Sequence, residues 1–244
     1  MSSPSLSERI LAWSVHLYTA LGSVIALESI VATVEGDARR AFLWMAAALA
    51  IDGSDGALAR AARVKQVVPS YDGARLDDIV DYLNYVVVPV FFAYHMGMLP
   101  AEYPGLVAAA PLLSSAYGFC TATAKTADFF FTGFPSYWNI AIFYLFVVGS
   151  PPAVNAALLI TLSIMVFVPI GYVYPTRQPF LRPLTIGLGL LWGALLLAAL
   201  ARYPEPSPLL VYGSLVFPIY YFALSFYLDA KRRRGRPKPL AAAR

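Results

Sequence analysis

Residues 41–63 read AFLWMAAALAIDGSDGALARAAR, an apolar run that continues directly into a segment with two aspartates. The apolar part, residues 41–51, is too short to cross a bilayer, which needs about 20 residues of helix. Asp52 and Asp55 must therefore lie within the helix that completes the crossing. Because charge inside a membrane helix is costly, such residues are functional candidates by default.

The composition places this segment in a membrane protein. The 244 residues are 59% hydrophobic and 13% charged, whereas a soluble domain carries roughly a quarter charged residues. The apolar blocks are about twenty residues long, and the alternating strands of about ten residues typical of a membrane barrel are missing. We expect an all-α, polytopic membrane helical bundle with about eight transmembrane helices, at residues 10–34, 38–62, 73–99, 105–124, 135–148, 153–173, 184–201 and 208–228.

The basic residues predict the orientation of these spans. With a cytoplasmic N-terminus, 15 of the 18 Lys and Arg residues fall on the cytoplasmic side, and only Arg39, Arg40 and Arg202 fall outside. We therefore expect a cytoplasmic N-terminus at 1–9, one transmembrane catalytic domain at 10–228 and a basic cytoplasmic tail at 229–244. The net charge of +4 indicates topology and no nucleic-acid partner. The basic run at 231–236 is also able to bind anionic lipid headgroups.

A second pair of acids follows in the next predicted span. Asp77 and Asp81 are spaced i, i+4 and Asp52 and Asp55 i, i+3, so each pair shares one face of its helix. Successive spans are usually adjacent and antiparallel, which predicts one site of four carboxylates near the cytoplasmic side. Two divalent cations balance four negative charges, and all-oxygen ligands indicate Mg²⁺ or Mn²⁺. Such a site suits a phosphate under in-line attack.

The residues between the acids fit a phosphate-bearing substrate. Gly56 and Ala59 keep one helix face small, and Arg60 presents a guanidinium suited to phosphate oxygens. Gly73 opens the next span, where a helix N-terminus favours an anion. A small-residue packing motif is the alternative for these positions, although it does not explain four buried acids. Asp72 reads as an N-cap, and Asp78 is turned away from Asp77; both are also candidates for a supporting role.

The spaced motif Asp52-x-x-Asp55-Gly56-x-x-Ala59-Arg60 followed by Gly73-x-x-x-Asp77-x-x-x-Asp81 resembles the signature of the CDP-alcohol phosphotransferases. Members of that family transfer a substituted phosphate from a CDP-linked donor to an alcohol and release CMP. The gap between Arg60 and Gly73 is twelve residues, longer than usual for the family. This gap and the eight-span layout are similar to the bacterial subfamily that condenses CDP-diacylglycerol with choline to give phosphatidylcholine.

The resemblance implies a role for each motif residue. Asp52, Asp55 and Asp77 would bind the metal ions, and Asp81 would take the acceptor's proton and contact the second metal. Gly56, Ala59, Arg60 and Gly73 would line the CDP pyrophosphate and ribose. It also implies CDP-diacylglycerol, choline and membrane lipid as partners, and the bacterial cytoplasmic (inner) membrane as the location.

The acceptor alcohol is less constrained than the donor. A quaternary ammonium group is best held by aromatic faces or a carboxylate. The candidate choline residues are Glu28, Asn84, Tyr85, Tyr137 and Trp138. Each also fits a packing or membrane-interface role. Lys125 and Arg177 are able to bind a phosphorylated acceptor, which keeps serine, glycerol phosphate and inositol open as alternatives.

A transporter is the alternative from another class, because buried acids also bind transported cations. It gives no reason for a phosphate cradle beside the acids, and the sequence shows no inverted repeat. The small residues Gly187, Gly189 and Gly193 offer a face for a homodimer. No catalytic role is assigned to His16 or His95.

Overall fold

The computed structural model describes residues 4–235, which fold mainly into helices. Two short strands accompany them. In chain order the elements are α1 (Leu6–Val34), α2 (Ala38–Ala61), α3 (Val64–Val67), α4 (Gly73–Tyr82), a π-helical segment (Leu83–Val87), α5 (Val88–His95), α6 (Pro104–Cys120), β1 (Phe130–Thr132), α7 (Trp138–Val148), α8 (Pro152–Phe167), β2 (Gly171–Val173), α9 (Arg182–Ala201), α10 (Pro208–Ser214) and α11 (Val216–Gly235).

Four helical stretches in the described part of the chain are long and apolar enough to cross a membrane. They are Leu6–Val34, Ala38–Ala61, Arg182–Ala201 and Pro208–Arg234. Three shorter apolar helices stand beside them: Pro104–Cys120, Trp138–Val148 and Pro152–Phe167. Large apolar side chains such as Leu106, Leu190 and Leu209 are exposed on the outside, as lipid-facing surfaces require. The architecture fits a helical membrane protein.

The segment predicted as the third span forms one helical rod with a widened turn in its middle. The rod consists of α4, the π-helical segment and α5. Pro89 lies near the start of α5 and has no backbone N–H to donate to the preceding turn. A π-turn accommodates such an interruption, and π-turns are frequent at functional sites. This one contains Asn84 and Tyr85, directly after Asp81.

A small antiparallel ribbon corrects the strictly all-α prediction. Strand β1 pairs with β2 so that Phe130 lies opposite Val173. The predicted span 153–173 instead ends as helix α8 at Phe167. Val168 precedes Pro169, and the residue before a proline is disfavoured in the helical conformation. The aromatic and β-branched residues on both sides then favour pairing as strands.

The last predicted span divides and also extends further than expected. Helix α10 ends at Ser214 and α11 begins at Val216, close to Pro218, which cannot donate a helical hydrogen bond. Helix α11 then passes 228 and includes the first basic residues of the predicted tail, as far as Gly235. The other basic residues of the predicted tail lie outside the described residues; they are Arg236, Lys238 and Arg244. At the other end, Ser5 and Glu8 form a capping box that begins α1 within the predicted N-terminal segment.

Small residues let α1 approach its neighbours closely. Gly22 of α1 lies against Val80 of α4, and a methyl group at Gly22 would overlap the Val80 side chain. The Ser29 hydroxyl of α1 donates to the carbonyl oxygen of Ala41 in α2 at 3.1 Å. Close approach through small residues is the usual way in which membrane helices associate. It brings the acidic ends of α2 and α4 together beside α1.

Candidate metal and nucleotide site

Three of the four predicted acids converge at the junction of α2 and α4. Asp52 and Asp55 of α2 and Asp77 of α4 each offer a carboxylate oxygen, and these oxygens lie within 4.8 Å of one another. Asp55 is buried, and the other two are half-buried. Carboxylates this close repel one another unless protons or cations compensate them. We call these three residues the acid cluster.

The donor set of the acid cluster fits a hard divalent cation. Three carboxylate oxygens on two rigid helices are ligands that Mg²⁺ and Mn²⁺ prefer, and the soft ligands that other metals prefer are not among them. Asp81 is not a member of the cluster. Asp81 lies one turn beyond Asp77 and interacts electrostatically with Asp52 and Asp77.

Two hydroxyl groups hold the acid cluster in place. Thr19 of α1 donates from Oγ1 to Asp55 Oδ2 at 2.8 Å, and Tyr85 donates from its hydroxyl to Asp52 Oδ2 at 2.6 Å. Short bonds to a carboxylate are roughly twice as strong as neutral ones. The sequence analysis missed Thr19. A polar residue facing α2 from an otherwise apolar helix is the signal that could have found it.

A lysine from the loop between α6 and α7 reaches the rim of this site. Lys125 Nζ lies 3.0 Å from Asp78 Oδ1. Burial acts to lower the pKa of Lys125, but the hydrogen bond to Asp78 and the charges of Asp77 and Asp81 outweigh it and raise the pKa. The side chain therefore carries a firm positive charge beside the acids. Asp78 is the carboxylate that holds the Lys125 side chain at this position.

The four predicted nucleotide-binding residues differ in their exposure and in the contacts that they make. No acidic side chain within residues 4–235 pairs with Arg60, whose side chain is exposed. Gly56 lies beneath it, since a Cβ at Gly56 would be 3.4 Å from Arg60 Nη1. Ala59 is half-buried against a small apolar cluster.

Gly73, at the start of α4, has a packing role too, because a Cβ there would come within 2.6 Å of His16 Cε1. Asp72 caps α4 as predicted, accepting from the Arg75 amide at 3.1 Å.

Two of the five predicted choline residues lie next to the acid cluster. The rings of Tyr85 and Tyr137 have centroids 6.3 Å apart, and Tyr137 is 6.2 Å from Tyr221. Tyr85 and Tyr221 are buried and Tyr137 is half-buried. The row of tyrosines begins at Asp52, which Tyr85 contacts directly. Tyr221 was not predicted, because α11 is more than 130 residues from the motif and only the fold brings it near.

The other three predicted choline residues have different partners. Glu28, expected to be unpaired, lies 3.6 Å from Arg40, and it is nine residues along α1 from Thr19, or roughly 13 Å. Asn84 donates to the carbonyl oxygens of Gly22 and Val80, joining two helices. Trp138 is completely buried, and its Nε1 donates to Ser115 Oγ at 2.7 Å. In the described residues these three side chains therefore have their own polar partners and do not belong to the row of tyrosines.

Known proteins similar to this chain share most of its length. It is 43% identical to a phosphatidylcholine synthase of Legionella pneumophila over 230 residues, which are 91% of this chain and 90% of that protein. It is 38% identical to a phosphatidylcholine synthase of Rhizobium meliloti, over 93% of this chain and 94% of the relative. The relative from Pseudomonas aeruginosa, with the same name, is 35% identical over 92% and 94%. No family model matches the chain. At these identities and over these lengths, the chain belongs to the phosphatidylcholine synthase family.

Proposed function

We propose that this protein is a membrane enzyme that makes phosphatidylcholine from CDP-diacylglycerol and choline and releases CMP. The observation that carries the proposal is the convergence of Asp52, Asp55 and Asp77 on the helix ends next to Arg60, which pairs with no acid among the described residues and lies over Gly56. The relatives, all named phosphatidylcholine synthase, support the choice of product. In the reaction, the choline oxygen forms a bond to the phosphorus that carries the diacylglycerol. The bond from that phosphorus to the CMP oxygen breaks.

The acid cluster would hold the divalent cations, Mn²⁺ or Mg²⁺. Bound there, such ions neutralise the negative charge of the diphosphate and of the leaving CMP. We expect two ions, because the three carboxylates of the acid cluster, the nearby Asp81 and the diphosphate of the substrate carry more negative charge than one divalent ion balances. The hydroxyls of Thr19 and Tyr85 orient the Asp55 and Asp52 carboxylates toward this position.

Asp81 is the proposed acceptor of the choline proton. It lies one helical turn beyond Asp77 and outside the acid cluster, so its oxygens need not serve as metal ligands. The hydroxyl of choline must lose a proton as its oxygen attacks, and a carboxylate within hydrogen-bond reach is able to take it. The proton then leaves with the solvent after CMP has gone.

Arg60 and Lys125 would flank the diphosphate with positive charge. Arg60 is unpaired with any acid in the described residues and lies above Gly56, where the absence of a side chain leaves room for a phosphate. Lys125 is held in place by Asp78. Positive groups fixed in advance stabilise the charge that develops in phosphoryl transfer. Ala59 and Gly73 complete the nucleotide-facing surface between α2 and α4.

The row of Tyr85, Tyr137 and Tyr221 is the proposed site of the trimethylammonium group. Aromatic faces attract a quaternary ammonium ion without needing a hydrogen bond. Tyr85 also contacts Asp52 at 2.6 Å, so an ammonium group along this row would keep the hydroxyl of choline close to the acid cluster. The assignment replaces the five-residue set expected from the sequence.

The proposed topology has eight spans, with both termini in the cytoplasm of a bacterium and the site near the cytoplasmic face of its inner membrane. The helical rod Gly73–His95 and the three shorter apolar helices would supply the spans beyond the four long ones. Residues 10–228 form the catalytic membrane domain, preceded by residues 1–9 and followed by the basic tail 229–244. A homodimer through α9 is compatible with the open space around Gly187 and Gly193 among the described residues.

Purified protein in detergent or nanodiscs tests the proposal. It is given CDP-diacylglycerol and Mn²⁺ together with choline, serine, glycerol phosphate or inositol, and CMP release and the lipid product are measured. We expect release with choline and phosphatidylcholine as the product. Release only with another alcohol would contradict the choice of acceptor. Ion flux in liposomes without any CMP release would instead favour a cation transporter.

A further inference from the structure

Three aromatic side chains gather beside the first residue of α4, outside the acid cluster. Trp13 and His16 come from α1, and Tyr71 comes from the connection between α2 and α4. The ring centroids of His16 and Tyr71 are 4.5 Å apart, those of Trp13 and Tyr71 5.1 Å and those of Trp13 and His16 5.6 Å. We call these residues the aromatic trio.

The imidazole of the trio has an unsatisfied polar atom. His16 is only 6% exposed, and its Nε2 has no hydrogen-bond partner among the described residues. A buried polar group without a partner is destabilising, and native proteins keep few of them without a functional reason. The imidazole lies directly against Gly73, at the start of the helix that carries Asp77. The unpartnered nitrogen is therefore at the edge of the proposed nucleotide surface.

The other two rings of the trio are open to a ligand. Trp13 is 49% exposed and Tyr71 is 39% exposed. The Tyr71 ring packs against His16, with the two centroids 4.5 Å apart, so the exposed rings border the buried imidazole. Flat exposed rings are platforms on which nucleobases stack, whatever the base.

The trio lies at the height where the nucleoside of a CDP-lipid must be. The hydrogen bond between Thr19 and Asp55 fixes the level of the acid cluster on α1. His16 is one turn before Thr19 and Trp13 is nearly two, roughly 4.5 and 9 Å along the helix. On α2, Arg60 lies on the same side of the acid cluster, toward the proposed cytoplasmic end. The acyl chains must remain in the bilayer, so the nucleoside of the same molecule extends the opposite way.

The connection between α2 and α4 holds Tyr71 at this position. Val64, Val67 and Val68 pack against Ala12 and Val15 of α1, and Arg63 pairs with Glu8 at 2.5 Å. The connection is thus fixed to α1 as well as to the helices that it joins. The twelve residues between Arg60 and Gly73 give it the length to reach across α1.

We propose that Trp13, His16 and Tyr71 form a binding subsite for the pyrimidine nucleoside of the CDP group. The base stacks on one of the two exposed rings and meets the other, which is tilted by 59° to the first, at its edge, and His16 Nε2 forms a hydrogen bond with the polar edge of the base. This subsite rests on the proposed function, because it assumes a CDP-activated donor. The residues that recognise the nucleoside are then different from those that bind the diphosphate.

CMP affinity of the purified full-length protein tests the subsite without requiring turnover. CMP with Mg²⁺ is titrated in a thermal-shift assay, and Ki of CMP and KM of both substrates are measured where turnover occurs. We expect Trp13→Leu and Tyr71→Leu each to weaken CMP binding about tenfold and to raise KM for CDP-diacylglycerol, with KM for choline unchanged. His16→Phe keeps the packing on Gly73 but loses the hydrogen bond, so it should weaken CMP binding, and His16→Gln should restore part of it.

Tyr227→Leu is the matched control. It removes an exposed aromatic ring from α11, close to the proposed cytoplasmic end of the last predicted span. The control should leave CMP affinity unchanged. If the trio residues only anchored helices at the membrane interface, their variants would behave like this control. Unchanged CMP affinity in the three trio variants would overturn the subsite while the proposed reaction stands. A wild-type protein that binds added CMP but produces no CMP from CDP-diacylglycerol with any alcohol would contradict the reaction and not the subsite. A wild-type protein that does not bind CMP would contradict both.

Discussion

The hydroxyl of Tyr85 and the carboxylate of Asp52 are joined by a 2.6 Å hydrogen bond from the π-helical turn to α2. The widened turn places the tyrosine ring directly beside the acid cluster. Tyr85 thus belongs to two proposed environments at once: its hydroxyl orients a metal ligand, and its ring begins the row of tyrosines for choline.

Removing only this hydroxyl should separate the two roles. We expect Tyr85→Phe to raise the Mn²⁺ concentration needed for half-maximal activity about 10- to 100-fold, as is typical when a partner of a metal ligand is lost. KM for choline should change little, because the ring remains. Metal titration of the CMP-release rate measures the first value, and choline titration at saturating Mn²⁺ the second. An unchanged metal requirement would show that the hydrogen bond does not orient a ligand.

The acid cluster should be essential, residue by residue. Asp52→Asn, Asp55→Asn and Asp77→Asn each remove one negative charge with almost no change in volume, and we expect each to lower the rate of CMP release about a thousandfold or more. Asp72→Asn is the matched control, since Asp72 caps α4 from the surface and asparagine caps equally well. A cluster variant with activity near that of the control would contradict metal binding at that residue.

Helix spacing and the adjacency of successive helices were sufficient to predict that Asp52, Asp55 and Asp77 converge, although the expected site had Asp81 as a fourth member. The preference of aspartate for the N-cap was sufficient to predict the cap at Asp72. It could not predict partners that only tertiary structure brings in. Tyr221 comes from α11, Thr19 is one polar residue in an apolar helix, and the pairing of Glu28 with Arg40 depends on how α1 lies against α2.

The β ribbon was missed for another physical reason. An apolar stretch such as 153–173 shows the same hydrophobicity whether its end is helix or strand. Pro169 is the local signal that ends the helix, and the pairing of Val173 with Phe130 then determines the strand.

Asp81 should be needed for chemistry and not for assembling the site. We expect Asp81→Asn to lower kcat about 10²- to 10⁴-fold, the range for loss of a general base, while CMP with Mg²⁺ still stabilises the variant against heat. The pair of readouts distinguishes a proton acceptor from a metal ligand, whose loss would weaken both. If Asp81→Asn also abolished stabilisation by CMP, Asp81 would belong with the metal ligands after all.

Lys125 should contribute positive charge to the reaction. We expect Lys125→Met to lower kcat about tenfold or more through the loss of a fixed charge near the diphosphate, and Lys125→Arg to recover part of it. Lys65→Met is the control, because Lys65 is an exposed lysine on α3. Asp78→Asn tests how Lys125 is positioned and should have a smaller effect than Lys125→Met. Equal losses in both single variants, with no further loss in the double variant, would indicate a purely structural ion pair.

The row of tyrosines should set the affinity for choline. We expect Tyr137→Leu to raise KM for choline about 30-fold, since a desolvated contact between a cation and an aromatic face contributes about 2 kcal/mol, and to leave KM for CDP-diacylglycerol unchanged. Tyr137→Phe keeps the ring and should stay close to wild type. Glu28→Gln should have no effect on choline, because its carboxylate lies beside Arg40 and away from the acid cluster. A rise in KM for choline in Glu28→Gln but not in Tyr137→Leu would move the ammonium site from the tyrosines to α1.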